Sequence, residues 1–172
     1  MPLLKSGDFV EDTFNTVVEA GDVPARGDLI LPWALLGTHP DILKGRSGRL
    51  GILFPVDKDP HELKPLLPRL SVIALPFDKF TDGRAYSIAR ILRTRLDFKD
   101  ELRAIGNVLP DQIAFMRQVG FDAFDVSTDR HSLDTWRSVA TAMSLTYQRG
   151  LVPARGFAPR DIFQARQRTT AS

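Results

Sequence analysis

Residues 70–96 read LSVIALPFDKFTDGRAYSIARILRTRL. The first eight residues are nearly all apolar, which is typical of a β-strand covered on both faces. A charged turn follows, and apolar residues then recur at helical spacing at Ala85, Ile88, Ala89, Leu92 and Leu96. The stretch predicts a buried strand, a polar turn and an amphipathic helix, in that order.

The same unit recurs along the chain. Strand-like runs begin near Leu50, Leu70, Glu101 and Phe121, and helical patterns lie between them. Such an alternation predicts right-handed crossovers and a parallel sheet. We therefore expect an α/β fold whose parallel sheet has about four βα units, arranged either as an open sheet or as a half-barrel.

The flanks of this repeat have a different character. Residues 1–48 contain strand-like runs broken by turns and prolines, which predict an N-terminal β arm or hairpin. Residues 49–149 form the βα core and end in a C-terminal helix, which we expect residues 127–129 to cap. Residues 150–172 form a basic tail, which favours docking on an acidic protein surface about as much as disorder. All three parts are expected to form a single domain, residues 1–172.

The composition excludes several classes of protein. The 172 residues include no cysteine, which rules out disulfides, thiolate metal sites and cysteine-bound iron–sulfur clusters, and we expect a cytoplasmic protein. The net charge of +2 is too small for a typical nucleic-acid-binding protein. The longest apolar run, Leu29 to Leu36, is far shorter than the roughly 20 residues that cross a bilayer. We expect neither a nucleic acid nor a membrane as a partner.

The usual patterns for a cofactor or a metal ion are also missing. The glycine-rich residues 45–51 precede a strand instead of following one, which is the wrong order for a phosphate loop. His39, His61 and His131 lack metal-ligand spacing. We expect no cofactor and no metal ion, and the sequence identifies no catalytic residue.

The loops that follow the predicted strands supply the candidate binding site. In a parallel sheet these loops share one edge, where ligands usually bind. Residues 55–57, 78–84, 106–107 and 127–129 are therefore expected to meet there. The helix that starts near Gly83 offers free backbone N–H groups beside Lys79 and Arg84, so the local field suits a small oxyanion. The candidate ligand-binding residues are Lys79, Thr81, Asp82, Gly83, Arg84, Ser87 and Asn107.

Several of the charged residues near this site have a structural alternative. Asp82 precedes a helix, where an aspartate caps backbone N–H groups more often than it acts as a general base. Arg103 would lie beside Glu101 in the third strand, where a buried arginine is expected to pair with a carboxylate. The four arginines of the helix after Gly83, among them Arg93, are expected mostly on its solvated face.

Four stretches carry a resemblance to a known family: FTDGRAYS (80–87), ARILR (89–93), ELRAIGNVLPDQ (101–112) and GFDAF (120–124). They resemble a family of uncharacterised proteobacterial proteins whose genes lie beside sulfite reductase genes and whose members are often labelled as oxidoreductases involved in sulfite reduction. The resemblance covers about residues 48–126 and implies a role in that pathway without an established reaction. Asn107 stands where we expect an aspartate in the family motif, and an amide is a poor base.

Two functions remain open. The first is an accessory protein of assimilatory sulfate and sulfite reduction, which docks on sulfite reductase or its electron donor. The missing cysteines and the missing nucleotide fingerprint favour this function. The alternative is a small oxyanion-binding protein or enzyme that uses the loop of residues 78–87. The sequence leaves undecided whether the protein is an enzyme.

Overall fold

The computed structural model describes residues 2–17, 19, 21, 23–24, 26–38, 41, 47–78, 82–142, 145–146 and 160–161. Over these residues the chain forms a mixed α/β fold, in which one eight-stranded sheet packs with four α-helices. Except for Arg160 and Asp161, the predicted basic tail lies outside the described residues.

The sheet is built from short strands spread over most of the described chain. They are β1 (Leu3–Lys5), β2 (Asp8–Val10), β3 (Asn15–Thr16), β4 (Leu29–Pro32), β5 (Leu50–Leu53), β6 (Leu70–Phe77), β7 (Glu101–Gly106) and β8 (Ala123–Asp125). The α-helices are α1 (Trp33–Thr38), α2 (Arg84–Thr94), α3 (Ile113–Val119) and α4 (Leu133–Ala142). A separate parallel pair consists of β9 (Leu145–Thr146) and β10 (Arg160–Asp161).

The strand order is β2-β1-β8-β7-β6-β5-β4-β3, so six parallel strands, β3 to β8, lie side by side in chain order. β1 pairs antiparallel with both β8 and β2. The prediction of a purely parallel sheet with about four units is therefore wrong, because the sheet is mixed and has eight strands. The additional strands all lie in residues 1–48, where runs of two to four residues are too short to show a strand period.

The antiparallel pairing follows from the turn between β1 and β2. Ser6 and Gly7 form this turn, and both have positive φ angles, of 54° and 97°. Two-residue turns of this kind can join only antiparallel neighbours, since parallel strands need a long crossover. The first two strands therefore form a hairpin along one edge of the sheet.

The main hydrophobic core lies between the sheet and its helices. Ile73 and Leu75 of β6, Leu92 of α2 and Phe124 of β8 are fully buried there. Strands that neighbour each other in chain order through right-handed crossovers keep their helices on one face. The other face carries a smaller buried cluster without helix residues, which consists of Phe14, Ile30, Val72 and Ala74.

The face opposite the helices is concave. β2 and β3 are the two edges of the sheet, yet only residues 11–14 connect them. The five Cα–Cα steps from Val10 to Asn15 span at most about 18 Å, whereas the edges of a flat eight-stranded sheet would lie about 34 Å apart. The sheet must therefore curl, and of the two predicted arrangements it adopts the half-barrel.

The linker of residues 11–14 is fixed to the middle of the concave face. Asp12 Oδ2 accepts a hydrogen bond from Arg103 Nη1 of β7 at 2.6 Å. Arg103 Nε also donates to Glu101 Oε1 at 2.9 Å, which confirms that this arginine pairs with a neighbouring carboxylate. The other oxygen of Glu101 lies 2.6 Å from Lys5 Nζ of β1. One network of ion pairs, centred on the buried Arg103, thus connects the linker, β7 and β1.

Arg93 of α2 is buried, unlike Arg84 and Arg90 of this helix and Arg95 directly after it, which are exposed as expected. Its Nη1 atom donates to the carbonyl oxygens of Phe98 and Asp100, both at 2.7 Å. Its Nε atom donates to Gly120 O at 3.0 Å, and its guanidinium pairs with Asp122. Arg93 therefore ties the end of α2 to the chain that enters β7 and β8.

Candidate functional site

The loops after β6 and β7 meet at the carboxyl edge of the sheet. The backbone N–H of Asn107 donates to Phe77 O at 2.8 Å, and its side-chain Nδ2 donates to Asp78 O at 2.8 Å. Gly106 permits this approach, because its φ is +90° and a Cβ atom there would lie 3.0 Å from Phe77 O. The predicted convergence is confirmed for these two loops.

Asp82 and Arg84 form a closed pair at the start of α2. Asp82 Oδ1 accepts a hydrogen bond from the backbone N–H of Arg84, the first residue of α2, at 3.1 Å. The N-cap position itself is Gly83, one residue later than predicted. The Asp82 carboxylate also accepts from Arg84 Nε at 2.9 Å and from Nη2 at 2.6 Å. These side-chain hydrogen bonds and the charge of Asp82 raise the pKa of Arg84, with Asp57 adding to the effect. The Arg84 guanidinium is therefore already bound by a carboxylate of its own loop.

Gly83 and Ser87, two other predicted site residues of this loop, line neither the cavity of about 190 Å³ nor the cavity of about 250 Å³. Gly83 is exposed at the start of α2, and Ser87 is exposed about one turn later. Lys79 and Thr81 lie outside the described residues. Asn107 is the predicted site residue that lines a cavity at this edge.

This cavity, which we call the carboxyl-edge cavity, lies between the loops after β7 and β8. Its volume is about 190 Å³, and its side-chain lining includes Asn107, Ser127, Asp129, Arg130, His131 and Trp136. The volume is far above the roughly 10–15 Å³ that one water molecule needs. The predicted meeting of Asn107 with residues 127–129 is confirmed, whereas the contributions of Arg130, His131 and Trp136 were not predicted.

Ser127 orders the loop that forms one wall of the cavity. Its Oγ atom donates to Asp129 Oδ2 at 3.0 Å and accepts from the backbone N–H of Asp129 at 3.2 Å. The carbonyl oxygen of Ser127 accepts from Trp136 Nε1 at 3.1 Å. Trp136 is only 1% exposed, so it anchors the loop to α4.

α4 begins later than predicted. The helix starts at Leu133, and Ser132 Oγ caps it by accepting from the backbone N–H of Thr135 at 3.2 Å. The prediction that residues 127–129 cap this helix is therefore wrong, because they belong to the preceding loop. Ser132, followed by the acidic Asp134, is itself a helix-start signal. A helix that starts after Ser132 leaves Arg130 and His131 in the loop after β8, and this loop lies at the carboxyl edge of the sheet.

Three groups of this loop have hydrogen-bonding atoms without a partner among the described residues. Arg130 is exposed and has no ion pair within the described residues. His131 is half-buried, and its ring lies 5.8 Å from the Trp136 ring in an edge-to-face contact. Asp129 uses Oδ2 to accept from Ser127, while its Oδ1 atom accepts no hydrogen bond from a described residue. The cavity therefore offers a cationic donor, an imidazole and a carboxylate oxygen.

A second cavity, of about 250 Å³, lies at the opposite, amino edge of the strands. Its basic wall residues, Lys5, Arg49 and Lys99, each pair with a carboxylate. Of its three acidic wall residues, Asp100, Glu101 and Asp122, the last two pair with buried arginines. These charges stabilise the fold, which is the usual role of residues at the amino edge of parallel strands.

An aromatic pair lies on the surface formed by α2 and α3. Phe115 is 52% exposed, and its ring centroid lies 5.0 Å from that of Tyr86. Tyr86 in turn contacts Phe77 and Phe121, at centroid distances of 5.2 and 6.5 Å. Burial raises the pKa of Tyr86, and Asp111 adds to this rise. The exposed ring is thus continuous with the core.

The described residues contain no group of three or more His, Asp or Glu side chains that could hold a metal ion. None of the helices formed by these residues has the length and apolar character needed to cross a membrane.

Comparison with known proteins assigns the central part of the chain to a family. Neither a curated protein nor a solved structure matches the sequence. A family model described as "Bacterial protein of unknown function (DUF934)" matches residues 51–157, which include the loops around the carboxyl-edge cavity. That description names no activity, so the link to sulfite reduction stays a prediction. The chain belongs to the DUF934 family of bacterial proteins.

Proposed function

We propose that the protein binds a small oxyanion in the carboxyl-edge cavity. The observation that carries this proposal is Arg130, an arginine that lines the cavity and has no ion pair within the described part of the chain. A guanidinium presents its N–H donors in a planar fork that fits two oxygens of an oxyanion. Ligands of parallel α/β sheets also bind at this edge.

Neighbouring groups support the same ligand class. His131 can donate a hydrogen bond from its ring in either tautomer. Trp136 forms a rigid wall, since it is buried and hydrogen-bonded to Ser127 O. A cavity of about 190 Å³ has room for an ion the size of sulfite, sulfate or phosphate. A few well-placed polar groups beside an aromatic wall are typical of small-ligand sites.

Arg84 supports an anion site less well than Arg130. A ligand at Arg84 would compete with the Asp82 carboxylate, whose Oδ2 atom lies 2.6 Å from Arg84 Nη2. No described carboxylate competes for Arg130 in this way. The proposal therefore moves the oxyanion from the loop of residues 78–87 to the carboxyl-edge cavity, and it retains Asn107 as a site residue.

The test is titration calorimetry with phosphate, sulfite and sulfate in turn. We expect the wild type to bind at least one of these ions and Arg130→Gln to bind it at least about tenfold more weakly, since one charge-assisted hydrogen bond contributes about 1.5–3 kcal/mol. Arg90→Gln, which changes an exposed arginine of α2, is the matched control and should bind like the wild type. Absence of binding to all three ions, or equal binding by Arg130→Gln, would refute the proposal.

A second candidate function is an accessory role in sulfite reduction, by docking on sulfite reductase or its electron donor. The resemblance of residues 80–124 to proteins encoded beside sulfite reductase genes suggests the partner. The observation that favours docking is the exposed ring of Phe115, which packs against the ring of Tyr86. Exposed aromatic residues on a rigid base are frequent energetic centres of protein interfaces.

A pull-down from cells grown on sulfate tests this second function. We expect the wild-type protein to retain sulfite reductase or its electron donor and Phe115→Ser to lose that retention. Val10→Ser changes another exposed apolar residue, 41% exposed in the edge strand β2, and should retain the partner. A variant without residues 150–172 separates this surface from the basic tail. Retention by Phe115→Ser would show that the aromatic pair is not the docking surface.

A further inference from the structure

We infer that Asp129 makes the carboxyl-edge cavity selective for oxyanions that carry an O–H group, such as hydrogen phosphate, over fully deprotonated ions such as sulfate. This inference rests on the proposed function, because it concerns the ligand of the same cavity. It assigns to Asp129 the role of a specificity-determining residue.

Asp129 has one carboxylate oxygen that is not used within the described part of the chain. An ionised carboxylate only accepts hydrogen bonds. Its Oδ2 atom is occupied by the hydroxyl of Ser127 at 3.0 Å, while Oδ1 has no donor among the described residues. Because Asp129 lines the cavity, its carboxylate is an acceptor within reach of a ligand there. A ligand with an O–H group can donate to this oxygen.

Arg130 imposes the complementary requirement. A guanidinium only donates hydrogen bonds, so it pairs with the unprotonated oxygens of the ligand. Asp129 and Arg130 are adjacent in the chain and line the same cavity. The ligand that suits both must therefore be negatively charged and must also carry a proton.

Phosphate and sulfate provide a matched pair of ligands. Both ions are tetrahedral and of similar size, but phosphate keeps at least one O–H group at neutral pH and sulfate has none. Bound sulfate would place a negatively charged oxygen against the Asp129 carboxylate, with no proton between them. Binding sites often exclude a wrong ligand because it would leave a polar group of the site unpaired or facing a like charge. Since Asp129 is exposed, we expect a preference of about 10- to 100-fold.

Asp129→Asn is the informative variant. The amide oxygen can still accept from Ser127, so the loop keeps its internal hydrogen bond, while the amide NH2 group becomes a donor towards the ligand. We expect this variant to bind sulfate about tenfold or more tightly than the wild type does and to lose its preference for phosphate. Asp134→Asn is the control, because Asp134 is 93% exposed in the first turn of α4 and does not line the cavity.

The experiment is titration calorimetry of the full chain with phosphate, sulfate and sulfite, all at the same neutral pH. Thermal unfolding of each variant verifies that it is folded. Preferential binding of phosphate by the wild type and by Asp134→Asn, with loss of the preference in Asp129→Asn, supports the inference. Equal binding of both ions by the wild type refutes the selectivity and leaves the oxyanion site standing. If the protein binds sulfite but neither phosphate nor sulfate, the selectivity is also refuted. If it binds none of phosphate, sulfate and sulfite, the oxyanion site itself is refuted.

Discussion

Gly120 ends α3 in a conformation that a side chain would strain. Its φ is +117°, and a Cβ atom would lie 2.6 Å from Arg93 Cγ. Arg93 cannot move away without loss of its buried hydrogen bonds. We therefore expect Gly120→Ala to lower the free energy of unfolding by about 2 kcal/mol or more, measured by urea denaturation. Gly83→Ala should stay within about 0.5 kcal/mol of the wild type, because Gly83 has a φ of −82° and open space around it. Equal losses in both variants would contradict this account.

Asp125, on β8, provides a test of pH dependence. Its Oδ1 atom is buried without a hydrogen-bond partner among the described residues, and burial raises its pKa, opposed by Arg103 and reinforced by Asp12. A carboxyl group with a raised folded-state pKa contributes its full stability below the unfolded pKa, and that contribution is lost as the pH rises through the folded pKa.

We therefore expect Asp125→Asn to be more stable than the wild type at neutral pH, by roughly 1 kcal/mol. The gain should disappear below about pH 4, where the wild-type carboxyl group is protonated in both states. Urea denaturation at the two pH values measures the difference. Asp8→Asn, at an exposed position of β2, should show no such gain. A gain that persists in acid would exclude ionisation of Asp125 as its cause.

What the sequence reveals about single residues depends on how near their partners lie in the chain. Arg103 was expected to pair with Glu101, two residues away, and this is confirmed. Asp82 was expected as the N-cap of α2; it does accept from the first backbone N–H of the helix, but the N-cap position is Gly83. Arg93 was expected at the surface, because the residues that bury it approach only when β7 and β8 join the sheet. Periodicity within α2 contains no information about those partners.

At the scale of elements, the start of α4 determines the shape of the carboxyl-edge cavity. Ser132 Oγ accepts from the backbone N–H of Thr135 at 3.2 Å and lies next to His131 in the chain. We expect Ser132→Ala to lower the free energy of unfolding by about 1 kcal/mol, the usual effect of removing a helix cap. Ser87→Ala, at an exposed position inside α2, should change it by less than about 0.5 kcal/mol. Urea denaturation of both variants is the measurement, and equal stability would mean that Ser132 does not cap the helix.

Element boundaries were predicted best where the apolar run is long. β6 was expected at Leu70 to Phe77 and has these bounds, because eight consecutive residues of the run lie in the centre of the sheet. β3 has only two residues, and the sequence did not predict that it belongs to the sheet. The start of α4 was misplaced because residues 127–129 also carry capping side chains. These side chains instead form the internal hydrogen bonds of the cavity loop.

For the whole molecule, the salt bridge between Asp12 and Arg103 joins the edge linker to the centre of the sheet. Arg103 is 3% exposed, so its removal leaves the carboxylates of Asp12 and Glu101 without a buried partner. We expect Arg103→Met to lower the free energy of unfolding by about 3 kcal/mol or more. Arg90→Met, at an exposed site, should change it by less than about 0.5 kcal/mol.

A double-mutant cycle makes this prediction specific to the linker. Asp12→Asn should have a smaller effect in the Arg103→Met background than in the wild type, because the two side chains interact directly at 2.6 Å. Additive effects, measured by urea denaturation, would mean that the salt bridge does not couple the linker to β7.

The global arrangement was the least predictable level. Periodicity indicated parallel βα units but could not distinguish an open sheet from a half-barrel, because both use the same local pattern. The distinction comes from the linker of residues 11–14, whose short length matters only once β2 and β3 are known to be opposite edges. The position of the carboxyl-edge loops, by contrast, follows from parallel topology alone and was anticipated correctly for residues 106–107 and 127–129.

The pairing of β1 with β8 also sets the order in which the protein can assemble during translation. Leu4 lies opposite Phe124, so β1 leaves the ribosome long before its partner has been synthesised. Pairings between residues so distant in sequence slow folding, since a long loop must close before they form. We expect the parallel strands to collapse first around β6. The hairpin and its linker then close the half-barrel as the last step of folding.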